Sequence, residues 1–299
     1  LLDEVIHYVQ PDGKRISVYH YIDKATDDAG VRSMGEDGFT YKKDFQRVYL
    51  VSAQTIQPDG TKIPIKKDAL FLKTPQEQAG SSLYDDNVEM VVVCSNVKPG
   101  SLTERIIVLE DIVARIPDQY TQVYTWMDGW PCYEQRLVVD LPKSFADRLK
   151  ITNLGAEVPA PTTSTPEPQR QLLTWEKLNT PAEPDDQSGA PTLQTGPLVW
   201  LSTLPNWDTF ATWYNGLLKG TDVLSPALKK DVDDWTKDAK DPTAILQILH
   251  EHVARDVRYT GFELGVSDYQ PHDASSVWDR QYGDCKDKAN LLRAMLAYK

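Results

Sequence analysis

The hydrophobic period of this 299-residue chain changes once, near Ser202, and that change limits what can form on either side of it. Upstream, Ile16, Val18, His20 and Ile22, then Val48, Leu50, Ser52 and Gln54, alternate as the residues of half-buried strands do. The tetrapeptide Gln-Pro-Asp-Gly occurs twice, at 10–13 and 57–60, with Pro and Gly placed to reverse the chain. Val88 to Val93 and Leu137 to Leu141 are apolar runs of buried-strand length. Downstream, Phe210, Trp213, Tyr214, Leu217 and Leu218 repeat at helical spacing, with Asn206 or Asp208 to cap the start and Gly220 to end it. Ser225-Pro226 and Asp241-Pro242 open two further helices, the second with the stripe Ile245, Ile248, Leu249, His252 and Val253. The expected fold class is α+β, with an antiparallel β-sandwich over residues 1–203 and a mostly helical part over 204–299.

Eight of the 20 prolines fall between 155 and 198, which reads as long loops, yet Leu172 to Glu176 inside them has the look of a strand. The segment is expected to decorate the far edge of the sandwich. At both ends the chain reads as a piece of something longer. Its first Met is Met34, and the pattern Ala289, Leu292, Met295, Leu296 is still running near Lys299 with no stop signal.

Composition excludes some functions. Lys and Arg number 32 against 44 Asp and Glu, a net charge of −12 that repels phosphate backbones, and no basic stripe offsets it, so no nucleic-acid partner is expected. No apolar stretch approaches the roughly 20 residues of a membrane-spanning helix. The three cysteines, Cys94, Cys132 and Cys285, lack the paired spacing of zinc ligands. Cys94 and Cys132 share the β-rich half, so they are either one bridge or two buried free thiols. No metal or other cofactor is expected.

The sharpest local feature is Tyr282-Gly283-Asp284-Cys285-Lys286-Asp287-Lys288-Ala289. Gly283 permits a close approach, Asp284 is a plausible N-cap, and Cys285, Ala289, Leu292 and Leu296 share one helical face. A thiol on the first helical turn meets free N–H groups and the positive dipole end, which favour the thiolate and can also receive an oxyanion. From spacing alone, a small buried Cys on a packing face fits as well.

The wider segment separates these readings. Val257-Arg258-Tyr259, Gly261-Phe262-Glu263-Leu264-Gly265, Tyr269-Gln270-Pro271-His272 and the Gly283-Asp284-Cys285 turn together resemble the nucleophile region of bacterial transglutaminase-like proteins of the papain-like superfamily. Tyr84-Asp85-Asp86, Val97-Lys98-Pro99-Gly100-Ser101 and Val199-Trp200-Leu201-Ser202-Thr203 resemble pieces of the β-rich domain of unknown function that precedes that core in many bacterial members. The resemblance implies that 204–299 is the helical N-terminal lobe of the core and that Cys285 is the nucleophile. It implies export to the periplasm or cell exterior and a protein, peptide or peptidoglycan-like substrate, attacked at a peptide or carboxamide bond. The family's catalytic His and Asp lie some tens of residues after the cysteine, whereas 14 residues follow Cys285 and none is His. The chain alone is therefore expected to be inactive, its second lobe lying elsewhere. The competing class is a non-catalytic module that binds protein or glycan through the sandwich.

Other residues are weaker candidates. Gln281 and Gln270 are candidate oxyanion donors and His272 a candidate cleft residue, although a structural hydrogen bond suits His272 better. Lys286, Asp287 and Lys288 read as a solvated turn, and His250 and His252 have the wrong spacing for a helical metal pair. His252 suits a core position, and His7 and His20 stand in strands with no partner cluster in view. The eight tryptophans suit packing, with Trp126 and Trp130 the pair that a turn at 127–129 would expose.

Overall fold

The computed structural model describes residues 1–75, 83–126, 130–155, 157–182 and 196–299. They form an α+β protein of two compact units, Leu1–Lys73 with Val88–Pro205, and Thr74–Asn87 with Asn206–Lys299.

The first unit is built on an eight-stranded sheet. Across it the strands run Thr162–Ser164, Arg170–Thr180, Cys132–Pro142, Leu2–Val9, Arg15–Lys24, Leu102–Asp111, Gln46–Ile56 and Lys62–Pro64. The two Pro-Asp-Gly turns take the same form. Gly13 and Gly60 sit at φ +87° and +86°, their N–H groups donate to Gln10 O and Gln57 O, and Asp12 and Asp59 accept from the N–H two residues on. The sheet is mixed, which corrects the antiparallel expectation: Leu2–Val9 runs parallel to Cys132–Pro142. A hairpin turn cannot join parallel neighbours, and here well over a hundred residues separate the two strands, so no local signal announces the pairing.

One face of this sheet is apolar along a cross-strand row, Trp175, Leu137, Val5, Tyr19, Ile107 and Leu50. Two small sheets supply the partners for it. Thr121–Thr125, Leu198–Ser202 and Lys150–Leu154 bring Tyr124, Val199 and Leu201 to one end, beside Trp126. Glu36–Lys42, Asn87–Val93 and Leu70–Lys73 bring Met90 and Val92 to the other, beside Cys94. Each fully buried aliphatic side chain here contributes roughly 1.5–3 kcal/mol.

Several side chains depart from expectation. Trp126 is fully buried while Trp130 is 63% exposed, so they do not form a shared platform, and the turn between them lies outside the described residues. Both strand histidines have partners, because strand order brings together residues remote in sequence. His7 Nδ1 lies 2.8 Å from Ser17 Oγ, and His20 sits between Glu104 (3.1 Å) and Glu4 (3.8 Å). Cys94 and Cys132 are unbridged, the first buried and the second half-buried with its thiol donating to Glu134 O.

The second unit packs the helices Pro226–Thr236, Pro242–Asp256, Ala274–Arg280 and Cys285–Tyr298 around Leu228, Val232, Leu249, Val253, Val277, Leu291 and Met295. Asn206, Ser225 and Asp241 cap their helices by accepting from the third N–H onward, and Pro226 and Pro242 occupy first-turn positions where no N–H is required. The segment Thr74–Asn87 groups with these helices because Leu83–Asp85 pairs in parallel with Gly261–Glu263, an assignment that linear reading does not make. No helix among the described residues is long and apolar enough to cross a membrane.

Candidate active site

The strand Tyr282–Gly283 lies parallel to Arg258–Tyr259, fixed by Arg258 N–H to Gln281 O (2.9 Å) and Thr260 N–H to Gly283 O (3.0 Å). The chain then turns at Asp284 into the Cys285–Tyr298 helix. Asp284 is the N-cap, accepting from Lys286 and Asp287 N–H, and Asp287 returns the bond by accepting from Asp284 N–H (3.2 Å), a complete capping box. Gly283 is required by proximity. A Cβ there would lie 2.7 Å from Asp287 Cβ and 3.1 Å from Val277 Cγ1.

Asp287 is 1% exposed, which corrects the reading of this turn as solvated. Besides Asp284 N–H, its carboxylate accepts from His272 N–H (2.8 Å) and lies 3.1–3.2 Å from His272 Nδ1. One turn later Asn290 donates to Thr221 O (3.0 Å) and to His272 O (3.4 Å). The loop before the Cys285–Tyr298 helix is thereby tied to that helix through a buried carboxylate and a buried amide. Such a network holds only while every member is satisfied, since an orphaned buried donor costs about 1–3 kcal/mol.

The capping box also decides which N–H groups face outward. Those of Asp284, Lys286 and Asp287 are taken by side chains, and Lys288 N–H opens the helical ladder on Asp284 O. Cys285 itself is exposed, so its position is open to a reactant. Beside it stands Tyr259, 58% exposed. The charge of the neighbouring thiol is the largest influence holding the Tyr259 hydroxyl above the usual tyrosine range. Lys286 Nζ pairs with Asp284, and Lys288 Nζ donates to Val257 O (2.6 Å).

The two glutamines, His272 and His252 have other partners. Gln270 Nε2 donates to Leu217 O (3.0 Å) and Gln281 Nε2 to Trp278 O (2.7 Å), so both side-chain amides serve backbone carbonyls. Gln281 takes a left-handed conformation (φ +59°) that ends the Ala274–Arg280 helix. His272 Nε2 faces Ser267 Oγ at 3.4 Å. The structure thus brings Asp284, Cys285, Asp287 and His272 into one capped turn and leaves the glutamines on its approaches. His252 stacks on Trp235 (3.9 Å, 18°) and meets Asp256 at 2.8 Å; Asp256, bonded by Arg255 and His252, is pulled down to about 2. His250 is exposed. Among the described residues no group of His, Cys, Asp and Glu is arranged to hold a metal ion. Sequence reasoning did not place Tyr259 beside the Cys285 turn, a placement that comes from the parallel pairing of its dipeptide with Tyr282-Gly283.

A family model described as a domain of unknown function with solved structure, DUF3857, matches residues 11–184. No curated protein matches the sequence. Among solved structures, the fold is similar to a crystal structure described as a "putative protease" from Parabacteroides distasonis, with 19% identity and a TM-score of 0.82 over 99% of this chain. The chain spans 58% of the length of that protein.

Proposed function

Because the chain belongs to the DUF3857 family and continues past the matched residues into a helical unit with an exposed, capped cysteine, we propose that it is part of a transglutaminase-like thiol hydrolase or acyltransferase with Cys285 as nucleophile. The observation that carries this reading is the position of Cys285, the one exposed cysteine, on the first residue of a helix whose capping box leaves the Cys285 N–H outward. A thiol at that point gains from the helix dipole as a thiolate, and a carbonyl carbon approaching it would place its oxygen near the Cys285 N–H. Attack on a peptide or carboxamide carbonyl would form a thioester and release the amine, after which water or a second amine resolves it.

This chemistry needs a base. The histidine nearest in the turn, His272, is held by the Asp287 carboxylate on its Nδ1 side and faces Ser267 on the other, which is a structural placement. We assign the base and its orienting carboxylate to a further lobe, in keeping with a chain that spans little over half of its structural neighbour, and we place the whole protein outside the cytoplasm, acting on peptide or peptidoglycan-like material. A bond-cleaving role on peptides also agrees with what that neighbour is called.

Alkylation of Cys285 by iodoacetamide at pH 7, followed by site-resolved mass spectrometry, tests the reading. Labelling of Cys285 several-fold faster than that of a short unstructured cysteine peptide is expected, and a rate no greater than the peptide's would overturn it.

A further inference from the structure

The two ring nitrogens of His272 meet different groups. The Asp287 carboxylate lies 3.1–3.2 Å from Nδ1, and Ser267 Oγ lies 3.4 Å from Nε2. That carboxylate is buried and fixed in place, since it also accepts from the N–H groups of His272 (2.8 Å) and Asp284 (3.2 Å). A carboxylate accepts, so in the neutral ring Nδ1 carries the proton and Nε2 is the acceptor that faces the Ser267 hydroxyl. For Cys285 this placement of His272 is structural, but for Ser267 it is the order of a nucleophile, its base and the carboxylate that orients the base. Ser267 stands in the helical turn Gly265–Asp268, where its N–H donates to Leu264 O (3.0 Å). Ser267 and His272 are both half-buried, so a reactant reaches the pair while Asp287 stays behind it. Leu264, Val266 and Tyr269 are exposed on the same stretch of chain, and the Tyr269 ring meets Trp213 edge-on at 5.6 Å.

We propose that Ser267, His272 and Asp287 form a second hydrolytic site, separate from Cys285 chemistry, that cleaves esters with an apolar acyl chain. Ser267 Oγ attacks the ester carbonyl carbon while His272 Nε2 takes the hydroxyl proton. The ester C–O bond then breaks, the alcohol leaves with that proton, and the acyl group stays on Ser267. Water attacks the acyl carbonyl and gives a proton to His272 Nε2, and the serine oxygen recovers it as the carboxylic acid departs. Ester and water are the only reactants. Asp287 holds the ring in place and offsets the charge the ring gains in each half of the cycle. A separation of 3.4 Å suits a nucleophile and base that substrate has yet to draw together. The exposed Leu264, Val266 and Tyr269 give the acyl chain its apolar surface, and an ester is the less demanding carbonyl because an alcohol leaves more readily than an amine.

The test uses the 299-residue chain with two probes. One is a fluorophosphonate, which bonds its phosphorus to an activated serine oxygen and releases fluoride; the other is the chromogenic ester p-nitrophenyl butyrate. Site-resolved mass spectrometry is expected to find the phosphonyl group on Ser267, and Ser267→Ala to abolish ester turnover. That variant removes one half-buried hydroxyl, and circular dichroism checks that its fold is kept. His272→Gln keeps an amide N–H to donate to Asp287 but removes the base, and it is expected to slow both labelling and turnover about a hundredfold. Ser267 labelled no faster than in the urea-unfolded chain would overturn the proposal. So would turnover that persists in Ser267→Ala, which would belong to another group, or rates unchanged in His272→Gln. Iodoacetamide labelling of Cys285 judges the thiol reading on a different residue, so the two can fail separately.

Discussion

Cys94 comes directly after one strand and Cys285 one residue after another, and the two units treat them in opposite ways. Cys94 follows Asn87–Val93, gives its N–H to Gly35 O and is 5% exposed among Met90, Val92 and Ile107. Burial pushes its thiol up, and Asp23 adds to the effect. Cys285 comes after Tyr282–Gly283 and the Asp284 cap, begins a helix and faces solvent. The path of the chain beyond each strand makes the difference. Where the chain stays in the β layer, the thiol becomes core; where it turns at an Asp cap, the thiol is put at the charged end of a helix. The exposure of each thiol is therefore set by the backbone path.

The hardest test of that contrast removes the group that holds the turn. In Asp287→Ala, Asp284 N–H and His272 N–H lose their buried acceptor together, and the helical unit is expected to lose about 3 kcal/mol, read as a lowered urea midpoint. A loss below about 1 kcal/mol would mean that water replaces the carboxylate, and the contrast between a dry β core and a network-held turn would break.

Much of this was legible in the sequence, for local reasons. The repeated Pro-Asp-Gly turns, the Ser and Asp caps and the strands flanking them all depend on residues within a few positions of one another. The Gly283-Asp284-Cys285 turn is of the same kind, and so its cap could be read. Burial of Asp287 could not, because its extra partner His272 stands 15 residues away in a loop with no periodicity. Nor could the parallel pairing of Leu2–Val9 with Cys132–Pro142, or Glu4 and Glu104 on either side of His20, since both arise from strand order. Tyr259 falls in the same class. Its dipeptide pairs with Tyr282-Gly283, and nothing within either dipeptide says so.

A second prediction sharpens the comparison through its histidines. His272 is bonded to a buried carboxylate, whereas His7, 1% exposed in the sheet unit, meets a neutral serine hydroxyl and is pushed down to about 3, first by burial and then by Arg15. The unfolded chain takes up this proton near pH 6.5 and the folded unit only near pH 3. Stability linked to His7 is thus fully present above pH 6.5 and is lost as pH falls through that window. At 1.36 kcal/mol per unit, the sheet unit should weaken by about 2 kcal/mol between pH 7 and pH 5. His7→Gln should flatten that slope. Parallel slopes in parent and variant, by urea unfolding at each pH, would show that His7 titrates freely in the fold.

The smallest effect returns to the two cysteines and asks whether either thiol matters to the fold. Replacing a buried thiol by a hydroxyl leaves a polar group where Met90, Val92 and Ile107 offer apolar surroundings, so Cys94→Ser should cost about 1–2 kcal/mol. Cys285→Ser changes an exposed atom on a helix whose caps are supplied by Asp284 and Asp287, and the stability change should stay within about 0.5 kcal/mol. Differential scanning calorimetry of the two variants reads both. If Cys285→Ser cost as much as Cys94→Ser, the exposed cysteine would be a packing residue after all, and its place at the helix start would owe more to the fold than to chemistry. A neutral Cys285→Ser, in a turn held by a glycine with no room for a Cβ and by a buried carboxylate, would mean that the surrounding structure is kept for a side chain the fold does not need.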